Sequence, residues 1–206
     1  MLKKIGLGVA AIIAGILLFA ATKPATFSVE RGAVIKAPPA TVHAMLNDFH
    51  AWGAWSPWEK LDPAMKRTYG GAASGVGATY AWEGNKEVGS GRMEITASAP
   101  ASSVTLTLDF LSPFEAHNVT EFTLTPAADS TRVRWRMSGP NTYMSKLMSV
   151  FTSMDAMVGP DFEKGLATMK GVAEKSAAEA AASAPPPAPA AAPGATATSA
   201  KAAVRK

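Results

Sequence analysis

The sequence predicts an α+β domain: a seven-stranded antiparallel, curved sheet wrapped around a C-terminal helix, preceded by an N-terminal helix apolar enough to be transmembrane. Three stretches carry that expectation. Val133, Trp135 and Met137 alternate with Arg132, Arg134 and Arg136, the period of a strand with one buried and one wet face. From Tyr143 to Val172, Met144, Leu147, Met148, Phe151, Met154, Val158, Phe162, Leu166, Met169 and Val172 recur every three or four positions, which puts them on one helical stripe. Ile5 to Ala21 forms a run of 17 apolar residues between Lys3-Lys4 and Lys23.

As a helix that run spans roughly 25 Å, slightly less than the roughly 30 Å hydrocarbon core of a bilayer. Cleavage after Ala20 or Ala21 would leave Leu18 or Phe19 at −3, where small residues are required. Residues 1–23 therefore read as an uncleaved membrane anchor, with a removed signal peptide as the alternative. The paired lysines place the N-terminus inside and the domain outside the cytoplasm, periplasmic in a bacterium; Lys23 pulls the other way.

Phe27, Val29, Ala33 and Ile35 share one parity and predict a strand ended by Pro38-Pro39. A short amphipathic helix follows, with Val42, Met45, Leu46 and Phe49 on one face and proline in its first turn. Ser56-Pro57 and Asp62-Pro63 each pair a capping side chain with a first-turn proline, so the tryptophan-rich stretch between them reads as helical turns and loops. Six strands come next: Lys66–Tyr69, Val76–Trp82, Val88–Ala97, Val104–Phe110, Ala116–Thr125 and the arginine-alternating one. Glu83-Gly84-Asn85-Lys86 predicts a hairpin turn. Gly159-Pro160 interrupts the C-terminal stripe. Proline is tolerated only in a first turn, so two helices are expected to meet there, with Asp161 and Glu163 at the positive end of the second.

Residues 24–175 form the predicted domain, and the Ala/Pro-rich residues 176–206 read as a disordered tail. The formal charge is +4, yet between Pro24 and Lys175 14 Lys/Arg stand against 15 Asp/Glu. The basic excess sits at the two ends. A nucleic-acid binder would carry it on the folded domain, so nucleic acid is excluded as a partner. With no cysteine, disulfide and thiolate chemistry are excluded as well.

A wider pattern spans roughly Phe27 to Glu174. It comprises Trp52-x-x-Trp55-Ser-Pro-Trp58 with Asp62-Pro63, Trp82-x-Gly84-Asn85, Val88-Gly-x-Gly91-x-Met93-x-Ile95, Pro113-Phe114, Met137-x-Gly139 and Met154-Asp-x-Met-Val-Gly-x-Asp-Phe-Glu-x-Gly-Leu166. Taken in order, this set resembles the polyketide cyclase/dehydrase and lipid-transport family of the START-like (SRPBCC, helix-grip) superfamily. The resemblance implies a helix-grip fold with a hydrophobic cavity between sheet and C-terminal helix. Binders, cyclases and co-chaperone domains share that fold, so it does not fix the chemistry.

Strand parity tests for catalysis. The inward positions are Ala78, Tyr80, Trp82, Met93, Ile95, Val104, Leu106, Leu108, Phe110, Thr120, Phe122, Leu124, Val133, Trp135 and Met137, with no carboxylate, histidine or lysine among them. A general acid or base must reach the proton that it moves, so no catalytic residue is assigned. The inward-capable polar groups are Tyr80, Thr120, Asn118 and Arg31. His43, His50 and His117 form no grouping at metal-ligand spacing, and neither metal nor cofactor is expected. Asn118-Val-Thr120 matches a glycosylation acceptor, and Gly89-x-Gly91 predicts a bulge or close approach within a strand.

The candidate ligand-binding residues are Trp52, Trp55, Trp58, Tyr80, Trp82, Met93, Phe110, Phe122, Trp135, Met137, Met154 and Phe162. The tryptophans after the short helix would stand at a cavity mouth with indole N–H groups as donors, or simply pack that helix. The methionines, Met157 included, would suit an irregular ligand or belong to the core. Three functions remain open. The first is membrane-tethered binding of a hydrophobic small molecule, a lipid or polyketide-like aromatic. The second is a cyclase or dehydratase acting on such molecules, and the third a structural or interaction domain with a filled core. A cavity well under the roughly 300 Å³ of ordinary ligand pockets would favour the third.

Overall fold

The computed structural model describes residues 2–183. Helix α1 (Leu2–Ala21) precedes β1 (Thr26–Ile35), α2 (Pro39–Asn47) and two short 3₁₀ turns, Phe49–Ala54 and Pro57–Lys60. Strands β2 (Lys66–Gly71), β3 (Ala78–Glu83), β4 (Ser90–Ala99), β5 (Ser103–Ser112), β6 (Ala116–Ala127) and β7 (Ser130–Pro140) follow, then α3 (Tyr143–Met148) and α4 (Met154–Ser183). The seven strands make one antiparallel sheet in the order β1-β7-β6-β5-β4-β3-β2. β1 thus leaves its sequence neighbours to pair with β7 and brings the N-terminal strand beside α4.

The parities hold. Val133, Trp135 and Met137 are buried while Arg132, Arg134 and Arg136 are exposed. The inner face carries Tyr80, Trp82, Met93, Ile95, Val104, Leu106, Phe122 and Leu124 in one core with Phe162, Leu166, Met169 and Ala173 of α4. Gly165 faces the Trp135 ring, where a Cβ would stand 2.8 Å from Cζ3. With no side chain there, the helix lies directly on the indole.

The break in the C-terminal stripe falls elsewhere than expected. Helix α4 runs through Gly159-Pro160, and the interruption lies between Met148 and Met154. Proline costs α4 one hydrogen bond and crowds the preceding turn, but contacts on both sides of it hold the helix. Arg31 of β1 donates from Nε to Glu163 (2.7 Å) and from Nη1 and Nη2 to Asp155 (2.7 and 3.0 Å). Its guanidinium covers Gly159, where any Cβ would collide with it. Asp161 and Glu163 are therefore mid-helix residues, and Arg31 is a clamp at the sheet edge, outside the interior. Helix α4 also extends to Ser183, so the Ala-rich stretch 176–183 is helical. The remainder of the expected tail lies outside the described residues.

The first part of the stripe does not reach the core: Met144, Met148 and Phe151 are exposed. Truncating Phe162, which is 1% exposed, is expected to cost about 3–5 kcal/mol. Phe151→Ala should change stability by about 0.5 kcal/mol or less. Equilibrium denaturation of the two variants checks both.

Candidate ligand-binding site

Aromatic side chains meet where α4 crosses the sheet. Phe162 stacks on Trp135 with ring centroids 4.1 Å apart and planes within 9°. Trp55 and Trp58 meet Trp135 edge-on at 5.6 and 5.9 Å, and Phe122 lies 5.0 Å from it. Trp52 and Trp55 both present edges to Phe122. All twelve candidate residues belong to this core or pack against it; Met157, half exposed, does not line it.

Three of the indoles are anchored to the protein itself. Trp52 Nε1 donates to the Leu46 carbonyl and Trp55 Nε1 to that of Met45, both at 3.2 Å. Trp82 Nε1 donates to the Val88 carbonyl at 3.0 Å. Trp52 and Trp55 therefore pin the 3₁₀ turn onto the end of α2, and their N–H groups are engaged. Trp82 crosses Gly91, whose missing side chain leaves room for the ring at the register shift in β4.

Among the described residues two buried side-chain polar atoms have no hydrogen-bond partner: Trp135 Nε1 and Asn118 Oδ1. Asn118 is 6% exposed, pointing inward with Thr120, so the acceptor asparagine suggested by the glycosylation pattern is enclosed. Around the same end of the sheet Phe27, Leu108, Phe110, Met154 and Val158 are packed on the core yet only partly buried. The interior is thus closed by aromatics at its centre and looser toward the start of β1 and β6.

Two surface concavities also stand out. One, of about 370 Å³, lies on the wet face between Thr68, Thr79, Arg92, Glu94, Thr107 and Asp109. The other, of about 260 Å³, lies at the β2–β3 end beside Phe49, His50 and Tyr69. Neither lies between sheet and α4.

Glu59 is a residue that strand parity could not find. It follows Trp58 in the second 3₁₀ turn, its side chain is 9% exposed, and it reaches the rim of the inner face. Tyr80 Oη donates to its Oε1 at 2.6 Å and Arg67 Nε to its Oε2 at 2.7 Å. Burial first, and the bond to Glu59 second, push the Tyr80 phenol far above the ordinary tyrosine value. Tyr80 is therefore neutral and already engaged as a donor. Among the other nominated groups, Arg31 lies in its clamp. On the wet face His117 is raised by its bond to Asp109, and that carboxylate is lowered by His117 and Arg92. Among the described residues no group of three or more His, Cys, Asp or Glu could hold a metal ion.

Comparison with known proteins agrees with this architecture. The family described as polyketide cyclase/dehydrase and lipid transport matches residues 26–174. The chain belongs to that family. Protein CV1439 from Chromobacterium violaceum is similar in fold at 15% identity and TM-score 0.52, over 74% of this chain and 99% of that one. The Aha1 dimer from Colwellia psychrerythraea is similar at 17% identity and TM-score 0.51, over 72% and 96%. The di-domain ARO/CYC StfQ of the steffimycin biosynthetic pathway matches at 10% identity and TM-score 0.53, over 74% of this chain and 52% of that one. At these identities the likeness is one of fold. A search of curated proteins finds no match.

The Tyr80 shift has a consequence at alkaline pH. A folded value above the ordinary 10.0 means that the unfolded chain loses this proton first. The stability it contributes is complete below pH 10 and is lost as pH rises beyond it. Ultraviolet titration should show one tyrosine that ionises only with unfolding. In Glu59→Gln its value should fall yet stay above the ordinary one, because burial is the larger cause.

Proposed function

We propose that this domain binds a hydrophobic small molecule, a lipid or a polyketide-like aromatic, between the sheet and α4, while α1 tethers it to a membrane. The observation that carries this reading is the pair of unpartnered polar atoms, Trp135 Nε1 and Asn118 Oδ1, inside a mostly apolar interior. A buried donor or acceptor left unpaired costs about 1–3 kcal/mol. A mostly apolar ligand carrying a hydroxyl would relieve that cost at either atom, and one carrying a carbonyl would relieve it at Trp135 Nε1. Family membership supports the same class of ligand. Entry is by the looser end near Phe27, Leu108 and Phe110, where less packing has to be displaced.

Helix α1 is long and apolar enough to cross a bilayer and almost none of it is buried by the domain. The lysine pair in its first turn favours an N-terminus inside and a domain outside the cytoplasm. A second reading, an interaction domain with a filled core, is favoured by the close Trp135–Phe162 stack and by the absence of either prominent concavity from the interior. Its working surface would be the exposed Arg132, Arg134 and Arg136. A cyclase role finds less support. Asn118 and Thr120, the inward polar groups that remain free of the Glu59 and Arg31 contacts, do not move protons at neutral pH.

Native mass spectrometry and solvent extraction of the full chain separate the two main readings. The binding reading expects an apolar molecule to co-purify and tryptophan emission to shift when a fluorescent fatty acid is added; silence in both supports the filled-core domain. Trp135→Phe keeps an aromatic ring for the Phe162 stack but removes the donor and part of the indole's volume. It should weaken binding by about 5–10-fold and lower stability by about 1–3 kcal/mol through the cavity it leaves among the surrounding rings.

A further inference from the structure

Strand register fixes which loops share an end of the sheet. Thr26 pairs with Pro140, Val119 with Ser138, Phe110 with Ala116, and Ser90 with Ser112. The start of β1, the end of β7 and the β5–β6 turn therefore lie together, whereas the β2–β3 loop, beyond Gly71 and Ala78, lies at the opposite end. Helix α1 enters at the first of these ends and is fixed there. Asn141 donates from its backbone to Ala25 (2.7 Å) and from Nδ2 to the Pro24 carbonyl (3.2 Å). Tyr143 Oη donates to the Leu17 carbonyl at 3.1 Å, and Ala20 is fully buried. Helix α3 is thus held alongside the last turns of α1.

Five large apolar side chains stand out from this end: Leu111 is 56% exposed, Phe114 69%, Met144 60%, Met148 44% and Phe151 76%. Single exposed apolar residues are ordinary, but several around one end of a domain mark a contact surface. They come from two separate elements, the β5–β6 turn and the α3–α4 region, that only the fold brings to one end. The opposite end offers Val34, Tyr69 and Val76, 46%, 38% and 59% exposed.

We propose that this rim docks onto the bilayer leaflet from which α1 emerges, so that the loose end of the interior faces lipid. The inference rests on the tether reading above. The apolar residues from Ile5 to Ala21 of α1 extend about 25 Å, slightly less than the roughly 30 Å hydrocarbon core, with Lys3 and Lys4 at its far edge. Leu17, one turn before the end of α1, then lies near the edge of that core. Tyr143, bonded to it, sits at the depth where tyrosine is favoured. The rim beside Tyr143 is held against the headgroup layer by the same contacts. A second copy or a soluble partner would have to displace lipid to reach it. Lys23, at 4.6 Å over the Phe19 ring, and Lys146 of α3 supply cations at that level, and Glu115 beside Phe114 keeps the turn no deeper than the headgroups.

The chain has no cysteine, so single substitutions can be labelled cleanly. Ile12→Cys, Phe114→Cys, Phe151→Cys and Val76→Cys, each carrying an environment-sensitive dye, are placed as full chains in phosphatidylcholine vesicles containing nitroxide-labelled lipid. Cooperative unfolding followed by tryptophan emission checks that each variant is folded. The expected result is strong quenching at positions 12, 114 and 151 and severalfold weaker quenching at 76. Quenching at 12 with water-like signals at 114 and 151 overturns the docked rim and leaves the tether standing. Dyes at 114 and 151 shielded from water but not quenched by lipid also overturn it, and identify protein as the occupant. No quenching at 12, 114 or 151 overturns tether and rim together.

Discussion

The stacking of Phe162 on Trp135 is the contact on which the rest of this molecule depends. Trp135 sits on β7, the strand that holds β1 to the remainder of the sheet, and Phe162 sits on the helix that covers it. Closing that stack brings α4 down on the sheet through Gly165, places Asp155 and Glu163 over Arg31, and seats Trp55, Trp58 and Phe122 around the same ring. Dispersion and burial of large rings dominate here. The exposed ion pairs at Arg31 set the helix's position along β1 more than they stabilise it.

Because that centre is full, any ligand chemistry is pushed toward an end of the grip. One end is closed by α2 and the first 3₁₀ turn, with Trp52 and Trp55 donating to carbonyls of α2. The other has half-buried apolar residues, an asparagine oxygen without a partner and α1 directly adjacent. In the proposed function, binding and tethering there would be linked by one geometric fact: the N-terminal strand that continues from α1 pairs at the sheet edge beneath α4. A ligand delivered from a bilayer would meet the interior where it is least tightly packed.

Much of the site could be read in advance, because inward and outward positions of a strand differ by one residue. The residues from Tyr80 to Met137 chosen on parity all face the core. Glu59 escaped, since it lies on a 3₁₀ turn with no periodicity and meets Tyr80 only through the tertiary arrangement. The roles of the indoles were equally hidden: a Trp-x-x-Trp spacing gives no indication of which carbonyl each N–H will find. Met144, Met148 and Phe151, the first part of the helical stripe, went the other way. Their spacing is that of a buried face, but past the edge of the sheet there is no protein surface left to cover them.

By itself the sequence determined the α+β class, the strands and their buried faces, the apolar N-terminal helix and the family. These follow from local periodicity and from the order of motifs. The tertiary structure decided where the C-terminal helix breaks. Pro160 carries a local preference for interruption, yet contacts with Arg31 on both sides of it, more than a hundred residues away in the chain, keep the helix intact. It also decided that the grip is filled at its centre and looser at the end where α1 enters. Side-chain volume summed across β6, β7, α4 and the 3₁₀ turns sets that, and no single stretch of sequence contains it.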